Sequence, residues 1–285
     1  MKIAVGILLA LIVSVSSRDI KLSGGGQNQD DVVDQNSLIP EGRIINGGTA
    51  QEGQFPYQAL LTIRYGLLGL LTNVCGGSII GDGWILTAGH CYQQPSLGSQ
   101  VSYEVTVGSL SASGTGGEKD TVLPPNAFLH PNYKFENNIP INDVAVVKTR
   151  VFQYSSNIQP IPLVGSGLTL EGSQFTVSGF GYTSNSGPVS NVLKYARIIG
   201  LEPESCEFGT PNEAWFCAGA DASASNGGTV CSGDSGGPVT IIKNNVVMQA
   251  GVVSFGSTDC AANPAAYADL TNEIILTWIL NAVAV

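Results

Sequence analysis

The sequence predicts an all-β protein. Thirty-six glycines with abundant Val, Thr and Ser, and a series of short apolar segments without a long helical period, point to brief strands joined by tight turns. Only about the last fifteen residues depart from that pattern. With 285 residues, 43% of them hydrophobic, the chain can bury a sizeable core in one or two domains.

The chain opens with "MKIAVGILLALIVSVSS", a lysine, an apolar run from Ile3 to Val15 and then small residues, so residues 1–17 are predicted to be a cleaved signal peptide. That run is short for a bilayer and polar residues follow at once, which argues against a membrane anchor and for secretion. Residues 18–43 are polar and lack apolar periodicity, and are expected to be a removable pro-segment with no core of its own. Strand-like segments begin after "IINGG" with "YQALLTI", "GGSIIGDGWILTAGH", "VSYEVTVGSL" and "DVAVVKT". After a crossover, "RVFQYSSNIQPIPL", come "QFTVSGFGY", "LKYARIIGL", "GPVTIIK", "VVMQAGVVSFG" and "AAYADL". The final "NEIILTWILNAV" spaces Ile274, Ile275, Trp278 and Ile279 as one helix packed by its apolar side, with Trp278 in the core.

A formal charge of −10 with no basic cluster argues against nucleic acid and anionic membrane surfaces as partners. Six cysteines in a secreted chain fit three disulfides, for which sequence alone permits fifteen pairings. There is no CxxC pair and the only histidines are His90 and His130, so no metal site and no cofactor are expected; calcium binding by the loop from Glu104 to Asp120 stays open. No N-x-[ST] sequon occurs.

The stretch "GTVCSGDSGGPV" surrounds Ser235 with glycines and sets Asp234 beside it. A serine hydroxyl needs a base to take its proton and donors to hold the oxyanion that develops on the carbonyl. The glycines permit a tight path that aims the amides of Gly233 and Ser235 at one point. For the base, His90 in "WILTAGHCY" ends an apolar strand beside a cysteine, whereas His130 in "FLHPNY" is expected to be solvent-facing in a polar loop. Asp143 in "INDVAVVK" heads an apolar strand, a place where a carboxylate can be buried yet hydrogen-bonded to the imidazole. Glu202, Glu204, Glu207 and Glu213 read as solvated loop acids. "GDSGG" also satisfies the G-x-S-x-G elbow of α/β-hydrolases, but no histidine follows Ser235, so that order of residues cannot be built.

Together with "RIINGG", these segments resemble the chymotrypsin-like serine proteases over nearly all of residues 44–285. The resemblance implies two six-stranded antiparallel barrels, about 44–157 and 158–285, with a C-terminal helix. His90 and Asp143 from the first barrel would meet Ser235 from the second, with Gly233 and Ser235 supplying the oxyanion-hole amides. It implies the pairings Cys75–Cys91, Cys206–Cys217 and Cys231–Cys260. It implies cleavage after Arg43, the freed ammonium of Ile44 turning inward to pair with Asp234. Thr229 stands where trypsin-like relatives carry a pocket aspartate, followed by Val230; Ser254, Phe255, Gly256 and Ala265 would form the walls, with Ala265 replacing a common glycine. This lining predicts cleavage after aromatic or large-to-medium apolar residues, an elastase-like preference being the alternative, and hence a need for a trypsin-like activating protease. Asp259, the one acid nearby, is read as solvated. Phe255 replaces a usual tryptophan and Gly89 a usual alanine. "IINGG", "INDVAVVK" and "NIQPIPL" resemble arthropod digestive proteases of the chymotrypsin and brachyurin kind. The expected molecule is a secreted monomeric zymogen, acting in the gut lumen on protein substrates and open to protein inhibitors. A catalytically dead homologue, or a cascade or venom protease, are the other readings; all three triad residues are present and no accessory domain precedes Arg43.

Overall fold

The computed structural model describes Ile44 and residues 46–66, 69–92, 100–185, 187–206, 208, 214–257, 259–260 and 264–284. The expected signal peptide, the pro-segment with Arg43, and Glu207 and Glu213 lie outside the described residues. The first half contains β1 (Gly48–Thr49), β2 (Gln58–Tyr65), β3 (Leu71–Gly81), β4 (Trp84–Thr87), a single helical turn α1 (Gly89–Tyr92), β5 (Gln100–Val107), β6 (Glu118–Val122), β7 (Ala127–Leu129), β8 (Lys134–Glu136), β9 (Ile139–Ile141) and β10 (Ala145–Lys148). The second contains β11 (Gln174–Gly179), β12 (Lys194–Gly200), β13 (Trp215–Ala220), β14 (Pro238–Lys243), β15 (Val246–Gly256), β16 (Ala265–Asp269) and helix α2 (Glu273–Val283).

The first sheet has the order β6-β5-β2-β3-β4-β10-β7. Its two outer strands are neighbours in the chain, separated by a 3₁₀ turn at Pro124–Asn126. Proline has no amide to donate, so Pro124 and Pro125 stop the ladder and let the chain step from one edge to the other. The first sheet is therefore a seven-stranded half-barrel whose two edge strands follow one another in the chain. In the second sheet, β12-β11-β14-β15-β16-β13 returns to β12 and closes a six-stranded ring, with β1 added on the outer side of β12.

Strand β12 shows why these segments are strands: Lys194, Ala196, Ile198 and Gly200 point inward and alternate with half-exposed Tyr195, Arg197 and Ile199. The hairpin between β14 and β15 turns on Asn244 and Asn245, at φ +51° and +62°, the left-handed pair that a tight two-residue turn demands. The halves meet across buried polar pairs, Ser78 Oγ donating to Gln249 Oε1 at 2.6 Å and Ser178 Oγ to Gln58 Oε1 at 2.6 Å. Satisfied in this way, polar groups can be buried without the cost of an orphan.

Helix α2 starts at Asn272, whose side chain accepts from the amides of Ile274 and Ile275. It buries Ile275 and Ile279, with Trp278 half-buried beside them. Ile274, expected on the packed side, is 58% exposed. Residues i and i+1 cannot share a helix face, and Ile275 takes the inward position.

Candidate active site

Strand β4 ends at Thr87, and α1 then turns His90 out of the barrel wall. The turn is held on three sides: Cys91 is bonded to Cys75, Tyr65 Oη donates to the Cys91 carbonyl at 3.0 Å, and the His90 amide donates to Asp143 Oδ1 at 2.7 Å. The His90 ring lies 2.8 Å through Nδ1 from Asp143 Oδ2. A carboxylate there fixes the proton on Nδ1 and leaves Nε2 with a lone pair. Asp143, just ahead of β10, is 1% exposed and also accepts from Ser254 Oγ. Burial alone would push this carboxyl up, but the His90 charge and the donors from His90 and Ser254 hold it below the usual range. Burial pulls the His90 imidazole down, and Asp143 more than compensates, leaving it above the ordinary value. Gly89 is explained here, since a Cβ would come within 2.9 Å of both Leu129 Cδ1 and Tyr133 Cδ2 and 3.2 Å of Asp143 Oδ1.

The loop from β13 to β14 carries Ser235, half-buried, between Gly233 at φ +92° and Gly236 at φ +82°. Alternate amides have different fates: Asp234 N bonds Cys231 O and Gly236 N bonds Val253 O, whereas those of Gly233 and Ser235 have no acceptor among the described residues. Asp234 is fully buried, Oδ1 accepting from Gly181 N at 2.7 Å and Oδ2 from Cys231 N at 3.0 Å. Among the described residues no cation pairs with it, and burial raises its pKa to about 6 against those two donors. A Cβ at Gly179 or Gly181 would collide with this carboxyl group. Ile44 is buried in the main core.

Ser235 is brought to the His90 side of the molecule. Gly76 N donates to the Ser235 carbonyl at 2.7 Å, and Cys91 Sγ lies 3.7 Å from that oxygen and 3.8 Å from His90 Nε2. Among the described residues the Ser235 hydroxyl makes no hydrogen bond to the ring. Cys75, Cys91 and His90 crowd closely enough to suggest a metal, but both sulfurs are committed to the disulfide. The other two disulfides are Cys206–Cys217 and Cys231–Cys260.

Thr229 and Val230 are buried ahead of Cys231, and the Thr229 hydroxyl donates to the Cys260 carbonyl at 2.6 Å. Ser254, Phe255 and Gly256 end β15, with Gly256 paired to Ala265 across β16; a Cβ on Gly256 would sit 3.4 Å from that of Ala265. Phe255 is half-buried, its ring edge-on to Phe208 and Trp215 at 5.3 Å. Asp259 is exposed, with Oδ1 accepting from Asn185 Nδ2 at 2.7 Å.

Two residues near the site need comment against the sequence-based expectation. His130 is 2% exposed rather than solvent-facing, because its ring packs edge-on against Trp278 at 4.9 Å, and burial lowers its pKa. Ser254, read only as a pocket wall, also supports Asp143, a partnership 111 residues apart that no local motif signals. The acids of the Glu104–Asp120 loop are engaged: Glu104 pairs with Lys119 at 2.9 Å, Glu118 with Arg150 at 2.6 Å, and Asp120 Oδ2 accepts from the Arg150 amide at 2.8 Å.

Among the described residues no helix is long and apolar enough to cross a membrane. The trypsin family matches residues 44–279. A protein named "Serine protease SP24D" from Anopheles gambiae is 34% identical over 262 residues, covering 86% of this chain and 87% of that protein. One named "Collagenase" from Hypoderma lineatum is 34% identical over 256 residues, covering 85% and 87%. One named "Trypsin-1" from Astacus astacus is 29% identical over 243 residues, covering 83% and 98%. Built on a closed six-stranded barrel and a half-barrel sheet and matched over most of its length, the chain belongs to the trypsin family and is a serine endopeptidase.

Proposed function

We propose that the chain is made as a secreted zymogen, with residues 1–17 as signal peptide and 18–43 as pro-segment, and is activated by cleavage after Arg43. The observation that carries the catalytic reading is an oriented imidazole, His90 on Asp143, beside a serine loop in which the Gly233 and Ser235 amides have no acceptor among the described residues. In the reaction His90 Nε2 takes the Ser235 Oγ proton as Oγ attacks the scissile carbonyl carbon, and the amides of Gly233 and Ser235 hold the oxyanion. Collapse expels the amine, which takes that proton from His90. Water, deprotonated by the same ring, then hydrolyses the acyl-enzyme. Asp143 orients His90 and stabilises the imidazolium throughout.

Cleavage supplies what Asp234 lacks. A buried carboxylate without a cation is costly, and the new Ile44 ammonium, entering the core where Ile44 already packs, answers it and sets the neighbouring amides. For the residue before the scissile bond, the pocket offers no carboxylate among the described residues: the Thr229 hydroxyl is spent on Cys260, and Asp259 is bound to Asn185. A cationic side chain would be desolvated there without compensation. Aromatic and large-to-medium apolar residues are therefore preferred, a trypsin-like protease is the activator, and the enzyme works as a digestive monomer subject to protein inhibitors. The relative named "Collagenase" makes triple-helical collagen a substrate to include in its profiling.

The test is to cut the purified chain at Arg43 with trypsin, remove the trypsin, and profile a peptide library. Turnover after Phe, Tyr, Leu or Met is expected, falling roughly a million-fold in Ser235→Ala or His90→Ala. No turnover after confirmed cutting would favour a catalytically dead homologue, and cleavage after Arg or Lys would refute the pocket reading.

A further inference from the structure

We propose that Thr87 is a positioning residue that couples the segment bearing His90 to the loop bearing Ser235. The inference rests on the catalytic reading above. Thr87 is fully buried at the end of β4, three residues before His90. Its hydroxyl donates to the Gly76 carbonyl at 2.8 Å, and Gly76 in turn donates its amide to the Ser235 carbonyl at 2.7 Å. The peptide unit following Ser235 is thus held at both ends, its oxygen by Gly76 of the first barrel and its N–H by Val253 O of the second at 2.7 Å. With that plane held, so is the Ser235 Cα from which both Oγ and the Ser235 amide depart.

The surrounding glycines show that the contact is built for closeness. A Cβ on Gly236 would run into Thr87 Oγ1 and approach the Gly76 carbonyl at 2.5 Å; one on Gly76 would meet Gly237 Cα at 2.7 Å. The ladder between β3 and β4 reaches only Ser78–Leu86 on this side. Beyond it the β4 backbone turns away into α1, and the Thr87 side chain takes over the link to β3. One hydroxyl thereby ties together the departure point of the base and the footing of the nucleophile. A valine has the same shape as threonine and no donor, so it would leave the Gly76 carbonyl buried and unpaired and free that residue to rotate.

The experiment compares Thr87→Val, Thr87→Ala and Thr87→Ser in the full chain cut at Arg43. It reads kcat and KM on an apolar peptide substrate, the rate of covalent labelling by a serine-directed fluorophosphonate, and thermal unfolding. Misplacement of reacting groups by about 1 Å can cost about 100-fold. We expect kcat and labelling to fall 10- to about 100-fold in Thr87→Val with KM within about twofold, and Thr87→Ser to restore both. Thr87→Ala removes the same donor with less bulk against Gly236 and is read in place of the valine variant if that fails to fold. Wild-type rates in the folded valine or alanine variant, or loss in the serine variant as well, would overturn the inference. Failure of the folded, cut wild-type protein to label at Ser235 would instead sink the catalytic reading itself.

Discussion

Asp234 concentrates the electrostatic problem of this chain in one side chain. Buried beyond water and, among the described residues, held by two backbone amides, it has its pKa pushed from 3.8 up to about 6 by burial. For a carboxyl whose folded pKa lies above the unfolded one, the folded state binds the extra proton, so stability falls as pH rises between the two values. That difference amounts to about 3 kcal/mol lost by pH 7 in a chain where Asp234 has no cation. Under the proposed activation the Ile44 ammonium removes this loss. Unfolding of the intact and the Arg43-cut protein, both silenced by Ser235→Ala, should therefore diverge as pH rises from about 4 to 7, the cut form becoming more stable by about that amount. Superimposed curves would show that no such pair forms. Asp143 faces the opposite balance, since its donors outweigh burial and keep it ionised beside His90.

The elements that hold these residues differ in how much they depend on distant packing. Helix α2 illustrates both kinds of support. Its cap is local: Asn272 accepts from two amides of its own first turn, and Asn272→Ala should cost about 1 kcal/mol. Its packing is not local, because Ile279 is fully enclosed by the core, and Ile279→Ala should cost about 2–5 kcal/mol by loss of burial plus a cavity. Denaturant unfolding of the two variants should rank them in that order, and an equal or reversed ranking would mean the helix is held mainly by its own turn chemistry. Strand positions were readable in the sequence because alternation and turn residues are written within a few positions of each other. The strand break at Pro124–Pro125, not read from the sequence, has an effect, two edges of one sheet meeting through the chain, that depends on where β5 and β10 lie.

Across the molecule, the proposed activation makes a terminal amine part of the catalytic apparatus. A free α-amino group titrates at about 7.7 to 8.0, and pairing with Asp234 would raise it. The pair exists below that raised value and is lost as pH rises through it, so activity of the cut enzyme should decline in alkaline solution. Activity held constant well into the range where the amine must be neutral, measured on a substrate without titrating groups, would rule the pair out. Under the proposed mechanism the acid side is set differently, by protonation of His90, whose raised pKa would move loss of activity above the ordinary imidazole value.

The linear order of residues was enough for the β class and the strand segments, and it marked Ser235, His90 and Asp143 as candidates, since each of these readings rests on chemistry confined to a few neighbours. It gave His130 the wrong surroundings, because the residue that covers it, Trp278, comes from the far end of the chain. It left Ser254 as a wall and Thr87 without comment, because the bonds they make to Asp143 and Gly76 join segments that only the folded barrels bring together. Local propensity acts over one or two turns of chain, whereas the direction of a buried hydroxyl is decided by whichever acceptor packing leaves within reach.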